Sequence, residues 1–287
     1  MATETVLAPQ ATATSQTTAT SPETATSPET AAPRDTAALE SDTARYALAL
    51  GDDALILCQR LSAWVTRAPS IEEDLALSNI ALDLLGHART LLAYSAELTG
   101  HGDEDTLAFT RTERQFRNVL LAEIPNGDYA LTLARQLCLA HQTRLLYAAL
   151  TGSADQALAG FAGKAVQESA YHCTHAEQWT VRLGTGTEES HRRMQAGLDQ
   201  VWPYTAELFA TDAVTARLVA DGVAVDPAGL RAEWDAAVGG VLDRAGLTLP
   251  KATWHARGGR DGLHTEGFGP LVAELQAVHR QYPGGTW

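Results

Sequence analysis

Apolar residues recur at helical spacing through most of this chain. Tyr46, Leu48, Leu50, Leu55, Leu57, Leu61, Trp64 and Val65 mark a first helix over about Thr43 to Thr66, stopped by Ala68-Pro69-Ser70. Ser70, with Glu73 three residues on, has the spacing of a capping box, and Leu77, Ile80, Leu84, Leu85, Ala88, Leu91 and Leu92 carry a second long stripe to Gly100. A long connection follows, holding a shorter amphipathic piece (Leu107, Phe109, Phe116, Val119, Leu120, Leu121) and closing at Pro125-Asn126-Gly127. Two further long helices are predicted from Asp128 to Thr151 and from Ala154 to Leu183. Shorter ones are predicted from Thr187 to Phe209, Asp212 to Ala220, Pro227 to Ala245 and Gly269 to Gln281. Strand-like alternation is confined to fragments such as Val223 to Val225.

The order of these elements narrows the fold. Two long helices, a long crossover and two more long helices describe an all-α, ferritin-like four-helix bundle with additional C-terminal helices, because a simple up-and-down bundle uses short loops throughout. Residues 1–42 are different in kind. They are rich in Ala, Thr, Ser and Pro, repeat TSPETA at Thr20 to Ala25 and Thr26 to Ala31, and offer too little apolar surface to offset the entropy of ordering, so a disordered tail is expected there. Residues 43–287 are read as one ferritin-like helical domain with a helical extension from about 212.

Composition then excludes partners and chemistries. A formal charge of −14 argues against nucleic acid and anionic membranes, and no apolar run approaches the ~20 residues that span a bilayer, so a cytoplasmic protein is expected. The tail lacks the basic start and apolar run of a signal peptide. Cys58, Cys138 and Cys173 lie far apart in helical patterns and read as buried free thiols.

One constellation hints at chemistry. Asp83 and His87 share a face of the second long helix, and Glu168 and His172 share a face of the fourth, with His175 one turn further. Counting outward from Pro69 sets Asp52 and Asp53 about level with Asp83 to His87. These are parts of a di-iron carboxylate set, in which two helices give one carboxylate each and two give a Glu-x-x-His pair. The set is incomplete. The third long helix has no Asp or Glu between Asp128 and Asp155, leaving Gln136, His141 and Gln142 as its inward polar candidates, and both acid–histidine pairs are spaced by four rather than three. The literal Glu-x-x-His, Glu188 to His191, falls in a first helical turn and reads as capping. The residues alone leave three options open: a polar core that fixes helix register, a self-contained di-iron or manganese oxygenase, or a ferritin-like storage protein.

Several long stretches in order carry a resemblance: LGDDALILCQRLSAW (50–64), DLALSNIALDLLGHART (74–90), GDEDTLAFTRTERQFRNVLLAEIPNGDYA (102–130), RLGTGTEESHRRMQ (182–195), TAELF (205–209) and GGRDGLHTEGFGPLVAELQ (258–276). Over residues 46–287 the chain resembles the C-subunit family of the multicomponent phenylacetyl-CoA 1,2-epoxidase of aerobic phenylacetate degradation. That resemblance implies a ferritin-like, non-catalytic structural subunit of an O2- and NADPH-dependent monooxygenase. Its implied partners are the homologous di-iron catalytic A subunit and a reductase subunit with FAD and an iron–sulfur cluster. It implies no catalytic, cofactor-binding or metal-ligating residue in this chain, with Asp53, Asp83, His87, Glu168 and His172 as remnants of a degenerate site. His87 departs from the pattern, standing where the family can carry Gln.

Overall fold

The computed structural model describes residues 42–285; the expected tail over 1–42 lies, except for Asp42, outside them. Asp42 opens α1 (Asp42–Ser62), and its carboxylate receives Arg217 at 2.7 and 2.8 Å. α2 (Ile71–Thr99) follows, with Ser70 as N-cap accepting from the Glu73 amide and Gly100 closing the helix in the left-handed region at φ 67°. Half of the expected capping box is formed: Ser70 caps, but the Glu73 side chain turns into the bundle instead of back to Ser70.

Residues 101–127 are broken into short pieces rather than one amphipathic helix: α3 (Glu104–Phe109), a 3₁₀ turn at Glu113–Gln115, and α4 (Leu120–Glu123). The second long pair is α5 (Tyr129–Leu150) and α6 (Gln156–Gly184), capped by Asp128 and Asp155. The rest comprises α7 (Glu188–Val201), a 3₁₀ segment at Trp202–Phe209, α8 (Ala213–Ala220), α9 (Arg231–Ala245), α10 (Phe268–Leu275) and α11 (Ala277–Gln281). Pro203 accounts for the change from α to 3₁₀ geometry where one continuous helix is expected, since it lacks an amide donor and crowds the preceding turn. Val223 to Val225 form no strand, and no residue among those described is in one.

α1 packs along α2 and α5 along α6, with α7 and α9 laid against the second pair. This is the four-helix core with a long crossover that the apolar pattern implies. α5 is its centre. Leu133, Ala134, Leu137 and Cys138 are all fully buried, as a helix apolar on every side must be. The three cysteines are free and buried. Among the described residues no helix is long and apolar enough to cross a membrane.

Candidate functional site

The helix pair α2–α6 brings four of the singled-out residues together. His87 Nε2 lies 2.7 Å from Glu168 Oε2, and His172 Nε2 lies 3.1 Å from Asp83 Oδ2. Four residues forward on α2 is four residues back on α6, so the helices run antiparallel and each acid–histidine pair answers the other in reverse. The two imidazoles are 6.4 Å apart, centroid to centroid. Both are buried, whereas the Asp83 and Glu168 side chains keep 33% and 24% of their surface exposed, so the carboxylates sit at the rim and the rings inside. His87 is further enclosed by Tyr147 and Phe161, each edge-on at 5.5 Å.

This arrangement favours neutral imidazoles. Burial pushes His87 and His172 below their ordinary 6.5, against the pull of the facing carboxylates. Burial works the other way on Glu168, but the hydrogen bond with His87 and the Lys164 ammonium 3.4 Å away outweigh it and hold the carboxyl below its usual 4.5. Each neutral ring then donates from Nε2 to its carboxylate. His87 Nδ1 is left as a buried acceptor with no partner, a smaller penalty than an unpaired donor in a closely packed wall.

A third pair was not legible from spacing. His175 Nε2 lies 2.8 Å from Glu73 Oε2, the same oxygen that accepts from the Tyr129 hydroxyl. Glu73 reaches it because it sits in the first turn of α2, level with the C-terminal half of α6. The sequence signal for Glu73 pointed to capping, which its backbone amide does satisfy.

α5 supplies no acid to this region. His141 is buried beside Glu177, with Nε2 and Oε1 3.3 Å apart, and Gln136 is buried with Oε1 unpartnered; Gln142 is half-buried. The inward polar group that sequence reading missed on this helix is Arg135. It is 1% exposed and donates to the Ile124 carbonyl at 2.9 Å and to Asn126 Oδ1 at 2.7 Å. Burial pulls its pKa down to about 9, which leaves it charged at neutral pH.

Asp52 and Asp53 face elsewhere. Asp52 is fully buried in a two-pronged pair with Arg111 and accepts from the Arg117 amide at 2.8 Å. Asp53 accepts from the Val119 amide at 2.7 Å and from Arg260 at 2.6 and 3.0 Å. The level of a residue along a helix does not fix its azimuth, so the expectation that a helix-one carboxylate joins Asp83 and His87 is corrected: both acids fasten the crossover to α1. Arg260 belongs to the 258–262 glycine loop, which in sequence reads as a loop with one basic residue and names no partner. Glu207 Oε1 accepts from the Gly258 and Gly259 amides at 2.9 and 2.8 Å, and Glu123 receives His264 and the Thr265 amide. A Cβ on Gly259 would collide with the Asn118 carbonyl, so this close approach requires glycine. Glu188 and His191 are local to the start of α7: Thr187 and Ser190 form the cap, and His191 Nδ1 bonds the Gly184 carbonyl at 2.7 Å.

A family model described as phenylacetic acid catabolic protein matches residues 24–287. The chain belongs to this family. Among curated proteins, the C subunit of 1,2-phenylacetyl-CoA epoxidase from Escherichia coli (strain K12) is 48% identical over 242 residues, which cover 84% of this chain and 98% of that relative. The helical bundle described above is the ferritin-like fold of the phenylacetic acid catabolic proteins.

A di-iron centre, which that fold holds in its oxygenase members, does not fit these side chains. It needs about four carboxylates and two histidines converging on two metal ions. Here two carboxylates and two histidines converge, each already bonded to the other, and α5 contributes none. Among the described residues no group of three or more His, Cys, Asp or Glu is placed to hold one metal ion.

Proposed function

We propose that this chain is a non-catalytic, structural subunit of a 1,2-phenylacetyl-CoA epoxidase complex, an O2- and NADPH-dependent monooxygenase, and that it stabilises a homologous di-iron subunit in which the ring is oxidised. The observation that carries this reading is the reciprocal pairing of His87 with Glu168 and His172 with Asp83 across α2 and α6. The positions that would present ligands to metal are paired with one another, and such a polar core suffices to set the register of two long helices. Near-full-length similarity to an epoxidase C subunit supports the same reading. Iron then belongs to the partner, and FAD and the iron–sulfur cluster to the reductase.

The physical task of such a subunit is to hold a bundle whose core is burdened by metal ligands. Buried carboxylates and imidazoles destabilise a fold that has lost its metal, and a rigid homologue packed alongside keeps them placed. The test is elemental analysis of the full chain purified alone from iron-rich medium, with far-UV circular dichroism to establish that it is folded. Near-zero iron is expected. About two iron ions per folded chain would overturn the proposal in favour of a self-contained di-iron oxygenase.

A further inference from the structure

α2 is apolar on two opposite faces. One, built from Leu77, Ile80, Leu84, Ala88 and Leu91, is buried in the bundle. On the other, Ile71 is 76% exposed, Leu75 61%, Leu82 64% and Leu85 45%. Steps of four, seven and three residues keep these four side chains in one stripe, close to the 3.5-residue repeat by which one helix packs along another. A helix with an apolar stripe on each of two sides has surface for a neighbour on both. The stripe leaves apolar surface on the order of several hundred Å², at the upper end of what a soluble monomer keeps uncovered and a large share of the ~800 Å² each partner gives to a standard interface. Leu85 also walls an open cavity of about 370 Å³ between α2 and α3, lined by Ala88, Leu92 and Phe109 among others. An aromatic or branched side chain from outside would fill it, and buried anchors of that kind carry most of the energy of an interface.

Charge decides what covers this face. From Ile71 to Ala88 the helix carries Glu72, Glu73, Asp74 and Asp83 and not one Lys or Arg. Glu73 is buried against His175, but Glu72 is exposed and Asp74 and Asp83 are half-exposed along the flanks of the stripe. Arg89 is paired with Glu104 at 3.0 Å and Lys164 with Glu168 at 3.4 Å, while Arg67 is exposed just before the helix. A second copy of this chain laid on the stripe in register would set Glu72, Asp74 and Asp83 against the same acids in either direction.

We propose that the outer face of α2 docks an amphipathic helix of a different protein, one with apolar residues at about 3.5-residue spacing flanked by Lys or Arg. The inference rests on the reading of this chain as part of a complex, and adds the face and the chemistry that it recognises.

The test titrates the full chain, and its Leu75→Lys/Leu82→Lys variant, against the homologous di-iron catalytic subunit. Both positions are exposed and Lys forms helix nearly as well as Leu, so helicity and Tm should be retained. Leu249→Lys, equally exposed but outside α2, is the control, and Leu82→Gln, which adds no charge, is run alongside. The double variant should lose at least about tenfold in affinity, Leu82→Gln should weaken binding in the same direction, and the control should bind as wild type. Wild-type binding should weaken as salt is added. Undiminished binding by the double variant overturns the assignment of this face and leaves the proposed structural role standing. No binding by the wild-type chain overturns both. Self-association of the chain that the double substitution abolishes overturns the assignment to a different protein.

Discussion

His87 on α2 and Glu168 on α6 form a buried-to-rim pair, Nε2 to Oε2 at 2.7 Å, in which a neutral imidazole donates to a carboxylate whose side chain is 24% exposed to water. Its inverse, His172 with Asp83, stands one turn away. Together they occupy the part of the bundle where ligands for metal would have to converge.

On the proposed structural role of the pair, Glu168→Ala should lower the stability of the chain by about 1–2 kcal/mol, the cost of leaving a buried imidazole N–H without its acceptor. Turnover of the assembled complex should fall by less than about tenfold. Urea denaturation of the chain and steady-state turnover of the complex check the two halves. A larger loss of turnover with normal assembly would contradict a structural role.

Acid should unfold the chain in two stages. His87 and His172 have pKa values depressed below 6.5 in the fold, so the unfolded chain binds more protons and stability falls as pH drops through and below 6.5. Glu168 is depressed below 4.5, so its contribution is lost as pH falls further, below 4.5. Denaturant midpoints measured from pH 8 to 3 should decline from near 6.5 downward and again below 4.5, and the upper stage should be smaller in a His87→Gln variant.

Arg111→Met should be among the most damaging single changes. It strands the Asp52 carboxylate, fully buried, with the Arg117 amide as its remaining donor, and breaking such a pair from one side costs about 3–5 kcal/mol. Adding Asp52→Leu to the same chain should recover part of the loss. Chemical denaturation of both single variants and the double variant measures the coupling.

Gly259→Ala should detach the 258–262 loop. The new methyl meets the Asn118 carbonyl, so the two amides that bond Glu207 and the Arg260 pair with Asp53 must shift together, at about 2–4 kcal/mol. Limited proteolysis should then cut the C-terminal segment at protease concentrations that leave the wild type whole.

The thiols should be inert in the native chain. Burial pushes Cys138 and Cys173 up to about 12 and raises Cys58 as well, so thiolate is scarce at neutral pH. Mass spectrometry after iodoacetamide treatment should find little modification until denaturant is added, and full alkylation afterwards.

The helical bundle was legible in the sequence because amphipathic periodicity is a local property. Where Leu77, Ile80, Leu84 and Leu91 recur, a helix with one buried face follows whatever lies opposite. The cap at Ser70 and the helix limits at Gly100 and Asp128 were readable for the same reason, and so was the missing acid of α5, which is a statement about residue type alone. The i, i+4 spacing also placed Asp83 with His87 and Glu168 with His172 on shared faces.

What only the tertiary structure decided was which polar groups meet. Glu73 looks like a capping residue and Asp53 like a ligand, yet Glu73 accepts from His175 and Tyr129, and Asp53 holds Arg260, 207 positions away in the chain. Such partnerships depend on the azimuth of each helix and on where a crossover lands, and neither is encoded within a window of sequence. The 258–262 loop shows the difference most plainly. Its glycines signal a turn, but only the packed fold brings Glu207, Asn118 and Asp53 around it, because a long-range contact is fixed by burial of the whole core and not by the residues that make it.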